Sequence, residues 1–80
     1  MPLIFRYKGY RFFFYSNEGN PREPVHVHVR SHDGEAKFWL RPAVHLADSN
    51  AFDAKALREL AKVVEENAEL IERKWDEYFC

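Results

Sequence analysis

The stretch from Val25 to Arg41, VHVHVRSHDGEAKFWLR, decides the fold that this sequence predicts. Apolar and polar residues alternate on both sides of Asp33-Gly34, a dipeptide typical of a two-residue type I′ hairpin turn. Counting outward from that turn fixes the cross-strand neighbours. The predicted pairs are Arg30 with Lys37, His28 with Trp39, and His26 with Arg41. Val27 and Val29 then lie on the opposite face of the hairpin, which is predicted to be core.

An earlier stretch, LIFRYKGYRFFFYS at residues 3–16, predicts a second hairpin around Lys8-Gly9. The same counting divides its side chains between two faces. The core face is predicted to carry Leu3, Phe5, Phe12 and Phe14, and the open face Ile4, Arg6, Arg11, Phe13 and Tyr15. The polar, proline-containing residues 17–24 between the hairpins are predicted to form an irregular loop.

From Asp53 onward the apolar period changes from two residues to about three and a half, which is typical of a helix. The apolar stripe consists of Leu57, Ala61, Val64, Ala68, Ile71, Trp75 and Tyr78. Asp53 is the predicted N-cap, and Phe52 is predicted to pack back onto Leu57. The opposite side of this helix is charged and is predicted to face solvent.

Together these patterns predict an α+β fold. It consists of a four-stranded, mostly antiparallel sheet of two β-hairpins with one long C-terminal α-helix packed on one face, and a short extended piece near Val44 to Leu46. Eighty residues with 46% hydrophobic and 31% charged content fit a single domain over residues 1–80. Residues 1–50 form its sheet half and residues 53–79 its helix.

Composition excludes several classes of protein. The single cysteine, Cys80, leaves no internal disulfide and no cysteine-based zinc site. No segment reaches the roughly 20 apolar residues of a membrane span, and no signal peptide is evident, so we expect a cytoplasmic protein without a membrane partner. The net charge of −1 conceals an asymmetry: residues 1–52 hold seven Lys/Arg against five Asp/Glu, and residues 53–80 five against eight.

The face of the sheet away from the helix is therefore predicted to be basic. It carries Arg6, Arg11, His26, His28, Arg30, Lys37, Trp39 and Arg41. Arginines and lysines placed directly opposite one another repel, and an anion or acidic partner between them relieves that repulsion. Exposed aromatic side chains on the same face favour, alternatively, a protein-docking or homodimerising surface.

His26 and His28 lie two residues apart on one strand, roughly 6.5 to 7 Å along the backbone. Two imidazoles at this spacing can converge on a divalent metal such as zinc, with Glu18, Glu23, His32 or His45 as a third ligand. A metal-free alternative uses the two histidines as general base and general acid, with Arg30 or Arg41 stabilising the charge that develops when RNA is cleaved at a 2′-hydroxyl. A purely structural pair is the third alternative.

The segments RFFFYSNEGNPREPVHVHV, GEAKFWL, VEEN and WDEYF resemble a family of small bacterial proteins classified as domain of unknown function 4160. The resemblance runs from Met1 to about Phe79 and implies a cytoplasmic protein encoded beside another small protein in a toxin–antitoxin-like pair. The loop and HxH arrangement of that family falls here on Asn17, Glu18, His26 and His28.

The functional expectation is thus one partner of a two-protein bacterial module that binds or acts on RNA through the basic histidine face. The alternatives are a docking or homodimerising module and a histidine-based metal-binding domain. The candidate catalytic residues are His26, His28, Arg30 and Arg41. The candidate binding residues are Arg6, Arg11, Asn17, Glu18, Lys37 and Trp39, and the candidate metal ligands are His26 and His28.

Overall fold

The structure is a computed structural model that describes residues 2–18 and 23–79, with the Glu18 side chain outside the described part. Five strands come first: β1 (Leu3–Tyr7), β2 (Tyr10–Phe13), β3 (His26–Arg30), β4 (Glu35–Trp39) and β5 (His45–Asn50). They form one antiparallel sheet in the order β1-β2-β3-β4-β5. Two helices follow, α1 (Ala54–Glu66) and α2 (Ala68–Tyr78). The α+β class is confirmed.

The expected four-stranded sheet is wrong by one strand. The extended piece expected near Val44 to Leu46 continues to Asn50 and pairs along β4. Its sequence, HLADSN, lacks apolar alternation, and all six of its residues are exposed. β5 therefore exists because β4 offers a free edge for backbone pairing, which a sequence pattern does not record.

The predicted register of the β3–β4 hairpin is also wrong. Neither Asp33 nor Gly34 has the positive φ that a type I′ turn requires. The connection is instead the four-residue loop 31–34, in which the Ser31 N–H donates to the Gly34 carbonyl oxygen at 3.0 Å. The observed pairs are Arg30 with Glu35, His28 with Lys37, and His26 with Trp39. A shift of two residues keeps every side chain on its predicted face but changes its neighbour across the strands.

The first hairpin follows its prediction at the turn and departs from it near the N-terminus. Lys8 and Gly9 have φ values of 48° and 81°, and Arg6 pairs with Arg11 as predicted. An irregularity between Leu3 and Phe5 then places Leu3 opposite Phe13. The predicted faces of Leu3 and Ile4 are therefore wrong: Leu3 is 46% exposed, and Ile4 packs against the core.

The helical segment is divided at Asn67, so the single long helix is a further wrong prediction. Asn67 has φ −116° and ψ 17°, and its side-chain amide donates to the Val63 carbonyl oxygen at 2.8 Å. Side-chain hydrogen bonds of this kind compete with regular helical geometry. The predicted N-cap is confirmed, because Asp53 Oδ1 accepts the Ala56 N–H at 2.8 Å.

Both helices pack on the same face of the sheet. The buried cluster that joins them comprises Phe12, Phe14, Val27, Val29, Ala36, Phe38, Leu40, Leu60, Val63, Val64, Ile71 and Trp75. Trp75 is buried in this cluster, and its ring contacts those of Phe14 and His26 at 5.1 and 4.9 Å between centroids. Tyr78, predicted to lie on the buried stripe, is 45% exposed. Within the described residues, neither helix is long and apolar enough to cross a membrane.

The substitution Gly34→Ala tests how β5 is attached to the sheet. A Cβ at Gly34 would overlap the carbonyl oxygen of Asn50 and press on Ala51 at 3.1 Å. Because backbone must move to make room, we expect the free energy of unfolding to fall by about 1–3 kcal/mol, with amide hydrogen exchange accelerated in β5.

Gly9→Ala is the matched control, since nothing lies within 4 Å of a Cβ there and only its positive φ opposes the change. It should accelerate exchange in β1 and β2 and leave β5 unchanged. Unaltered exchange of β5 in Gly34→Ala would contradict the close approach of the two segments.

Candidate functional site

One row of polar side chains crosses the whole open face of the sheet, the face opposite the helices. The paired residues, strand by strand, are Arg6, Arg11, Arg30, Glu35 and Asn50. Adjacent strands lie about 4.8 Å apart, so the row is about 19 Å long. It begins with three cations on β1, β2 and β3 and ends with a carboxylate and an amide on β4 and β5. We call it the cross-strand row.

Glu35 is the centre of a hydrogen-bonded cluster within this row. Its Oε1 accepts from Arg30 Nη2 at 2.7 Å and from Arg30 Nε at 3.1 Å. Its Oε2 accepts from the Tyr15 hydroxyl at 2.9 Å, and that hydroxyl accepts from Arg30 Nη2 at 2.8 Å. The guanidinium of Arg30 is thereby held in one orientation above the sheet.

The same contacts determine the ionisation of Glu35. Burial by itself would raise the pKa of this carboxyl, but hydrogen bonds from Arg30 and Tyr15, with the charges of Arg30 and His28, outweigh it and lower the pKa. Glu35 is therefore a carboxylate at neutral pH, and Arg30 is permanently charged.

The histidine pair is buried, whereas the sequence predicted that it would lie open on the sheet surface. His26 is fully buried against the rings of Trp39 and Trp75, and its Nδ1–H donates to the Pro24 carbonyl oxygen at 2.9 Å. His28 is 7% exposed, and its Nδ1 lies 3.7 Å from Glu35 Oε2. The two imidazole centroids are 5.1 Å apart. His28, but not His26, lines a cleft.

Phe13 is buried as well, so the expected apolar patch on the open face is not formed around it. Only 4% of this residue is exposed. Its ring stacks with His28 at 5.7 Å, meets the edge of Tyr15 at 5.1 Å and lies under the Arg30 guanidinium at 5.7 Å. The surface offered to solvent here is thus polar and charged rather than aromatic.

The cationic end of the cross-strand row is a small groove of about 110 Å³ lined by Leu3, Arg6, Arg11, Phe13 and Arg30. Arg6 and Arg11 are exposed, and within residues 2–18 and 23–79 neither forms an ion pair. Directly opposed like charges on adjacent strands are destabilising. This end of the row is therefore suited to an anion.

The other end of the row borders a larger cleft of about 260 Å³. Its polar lining comprises His28, Glu35, Lys37, Asp48, Ser49 and Asn50. Lys37 lies over the Trp39 ring at 4.3 Å from its centroid and 3.7 Å from Glu23 Oε1. The open face thus presents a cationic half beside a half of mixed charge.

Of the other predicted site residues, Arg41 is not brought to this row. Arg41 forms a two-point ion pair with Glu72 of α2, both contacts being 2.6 Å, and so ties the sheet to the helix. Asn17 is exposed in a short 3₁₀ turn, Ser16–Glu18, and the Glu18 side chain lies outside the described residues.

In the described part of the chain, no group of three His, Cys, Asp or Glu side chains could hold a metal ion. Of the candidate third ligands, His32 lies 3.3 Å from Asp33 in an exposed loop. His45 bonds through Nδ1 to the Ala43 carbonyl oxygen at 2.6 Å. Glu23 contacts Lys37. None of these three residues is therefore placed as the third ligand of the predicted zinc site, and the side chain of the fourth candidate, Glu18, lies outside the described residues.

Sequence reasoning missed Glu35 as a site residue and treated Tyr15 only as an exposed aromatic. Glu35 is separated by two and four residues from Lys37 and Trp39 in β4, and side chains at this spacing lie on the same face of a strand. That alternation was sufficient to place Glu35 on the open face. Its role as the partner of Arg30 depended on the length of the loop, which was predicted two residues too short.

The model of the family described as Domain of unknown function (DUF4160) matches residues 9–76. The chain belongs to the DUF4160 family. The matched region contains most of the cross-strand row, from Arg11 to Asn50, together with His26 and His28. No match was found among curated proteins or among solved structures.

The substitution Glu35→Gln tests the cluster through its pH dependence. Because the folded-state pKa of Glu35 is lowered, its contribution is fully present above the unfolded pKa of about 4.3 and is lost as pH falls through the folded pKa. We expect Glu35→Gln to be less stable than the wild type by about 1 kcal/mol at pH 7, since both partners retain contact with water.

That difference should shrink towards pH 3 in denaturant titrations. Glu65→Gln, on the exposed side of α1, controls for the removal of one carboxylate and should change stability little. If Glu35→Gln lowered the free energy of unfolding equally at pH 7 and pH 3, the ionic role of Glu35 would be contradicted.

Proposed function

We propose that this protein binds single-stranded RNA through the open face of its sheet, as one partner of a toxin–antitoxin-like pair. The observation that carries the proposal is the alignment of Arg6, Arg11 and Arg30 on three adjacent strands. Affinity for nucleic acid comes largely from cations that neutralise backbone phosphates and release counterions. The toxin–antitoxin association rests on the family resemblance.

The charge distribution supports this proposal despite the net charge of −1. Apart from the N-cap Asp53, the acidic residues of the C-terminal half belong to α1 and α2, and both helices pack on the other face of the sheet. A polyanion on the open face therefore approaches the arginines before it meets the acidic helices. Arg30 can bind phosphate at little entropic cost, since its guanidinium is already held by Glu35 and Tyr15.

The burial of His26 favours binding over two-histidine cleavage. Acid–base catalysis requires both groups within hydrogen-bond reach of the substrate. His26 is fully buried against Trp75, whereas His28 reaches the cleft beside Glu35. We assign His28 to RNA contact and His26 to the packing of α2 against the sheet.

A second candidate function is protein docking, favoured by a groove between β1 and α2. Leu3 and Tyr78, two of the exposed large hydrophobic residues, both line this groove of about 210 Å³. A cognate small protein would cover them. Because Leu3 also lines the cationic groove, a protein docked here would border the β1 end of the cross-strand row.

A filter-binding titration with a mixed-sequence single-stranded RNA tests the proposal. The dissociation constant should rise steeply with salt, and Arg6→Gln with Arg11→Gln should reduce the slope of log K against log salt by about 1.4, or about 0.7 for each phosphate that is no longer neutralised. The double substitution Arg58→Gln with Arg73→Gln removes the same charge from the exposed helix surface and should leave the slope close to that of the wild type.

Binding that does not depend on salt, or equal effects of the two double variants, would contradict the assignment of the open face. Absence of any RNA binding would leave docking as the better function.

A further inference from the structure

The cleft at the β4–β5 end of the cross-strand row is large enough for a small part of a ligand, such as a single base, but too small for a whole cofactor. Its volume of about 260 Å³ falls just below the range of about 300–1,000 Å³ typical of sites for drug-sized ligands. A single planar base fits such a volume, whereas a dinucleotide does not. The cleft also opens beside the cations of the row, since Glu35 belongs to both.

Hydrogen-bond acceptors dominate the far side of this cleft. Asp48 Oδ1 accepts the Ser49 N–H at 2.9 Å, and within the described residues Asp48 forms no ion pair. Asn50 adds an amide, and Lys37 is opposite Asp48 on β4. A ligand that suits this lining must offer adjacent donors to a carboxylate and an acceptor to an ammonium group.

Guanine is the RNA base with that arrangement. Its N1–H and N2 amino group are neighbouring donors that a carboxylate can accept together, and its O6 and N7 accept from a cation. Adenine and cytosine place a ring acceptor beside their amino group, and uracil offers one N–H between two carbonyl oxygens. A carboxylate at this position therefore repels each of those bases at one or more atoms.

We infer that the cleft binds a guanine base of the RNA, with Asp48 reading its N1–H and N2 amino group. Lys37 reads O6 after its ammonium leaves the Trp39 ring and the Glu23 carboxylate, which lies 3.7 Å away. The inference rests on the proposed function, because the phosphate next to this base lies on Arg30 of the row. Arg30 on β3 and Asp48 on β5 are two strand spacings apart across the sheet and two residues apart along it, a separation of about 12 Å. One nucleotide spans this distance from phosphate to base edge when the lengths of the two side chains are included. His28 borders the cleft but is only 7% exposed, because its ring stacks on Phe13 and is met by the ring of Tyr15, so it forms one wall of the cleft and not a stacking platform.

The test uses a uridine oligonucleotide with one central guanosine, adenosine or inosine. Inosine retains N1–H and O6 but lacks the N2 amino group. Wild-type protein should bind the guanosine form about tenfold more tightly than the adenosine form, with inosine between them. Asp48→Asn should reduce the preference for guanosine over adenosine to about one, because an amide donates as well as accepts.

The ratio of the two affinities is the readout, since removing a negative charge raises affinity for any RNA. Asp33→Asn removes the same charge from the exposed β3–β4 loop outside the cleft and should keep the tenfold preference. Equal binding of guanosine and adenosine forms by the wild type, with salt dependence intact, would overturn the guanine inference and leave RNA binding standing. A full preference retained by Asp48→Asn would overturn the role of Asp48. Failure to bind any of the three oligonucleotides would overturn the proposed function itself.

Discussion

The pairing of Arg30 with Glu35 is the interaction on which the candidate site depends. It forms in the register that the four-residue loop gives β3 and β4, and that register sets the cross-strand neighbours of the open-face side chains on these two strands. With Glu35 opposite Arg30, a carboxylate interrupts what would otherwise be four consecutive cationic positions. The cations of β1 and β2 are thereby left without a protein partner in the described part of the chain, while Arg30 is held rigidly.

The same pairing explains how a small domain covers the second face of its sheet without a second helical layer. Phe13 and His28 are almost fully buried on that face, whereas α1 and α2 pack on the other. Tyr15, Arg30 and Glu35 contribute to this burial through hydrogen bonds and ring contacts. A polar cluster of this kind removes apolar surface from water and still presents charge to a ligand. Folding and binding therefore use the same side chains.

The sequence was sufficient for the parts of the fold that depend on local chemistry. The Lys8-Gly9 turn, the Asp53 cap and the face of most strand residues follow from backbone preference and alternation. The β3–β4 register was not predictable in the same way, because Asp33-Gly34 is compatible with both a two-residue turn and the observed longer loop. The break at Asn67 arises from a side-chain hydrogen bond that competes with the helix, and β5 arises from an available edge. Burial of His26 depends on Trp75, which is distant in sequence.

The most direct test of this account is a set of cross-strand nuclear Overhauser effects between β3 and β4 in isotope-labelled protein. Backbone contacts should join Arg30 to Glu35, and Val29 to Ala36, at the distances of directly opposed residues in an antiparallel pair. Contacts that join Arg30 to Lys37 and Val29 to Phe38 instead would show the two-residue turn. In that register Glu35 would leave the row, and both the cluster around Glu35 and the cleft between β4 and β5 would lose their basis.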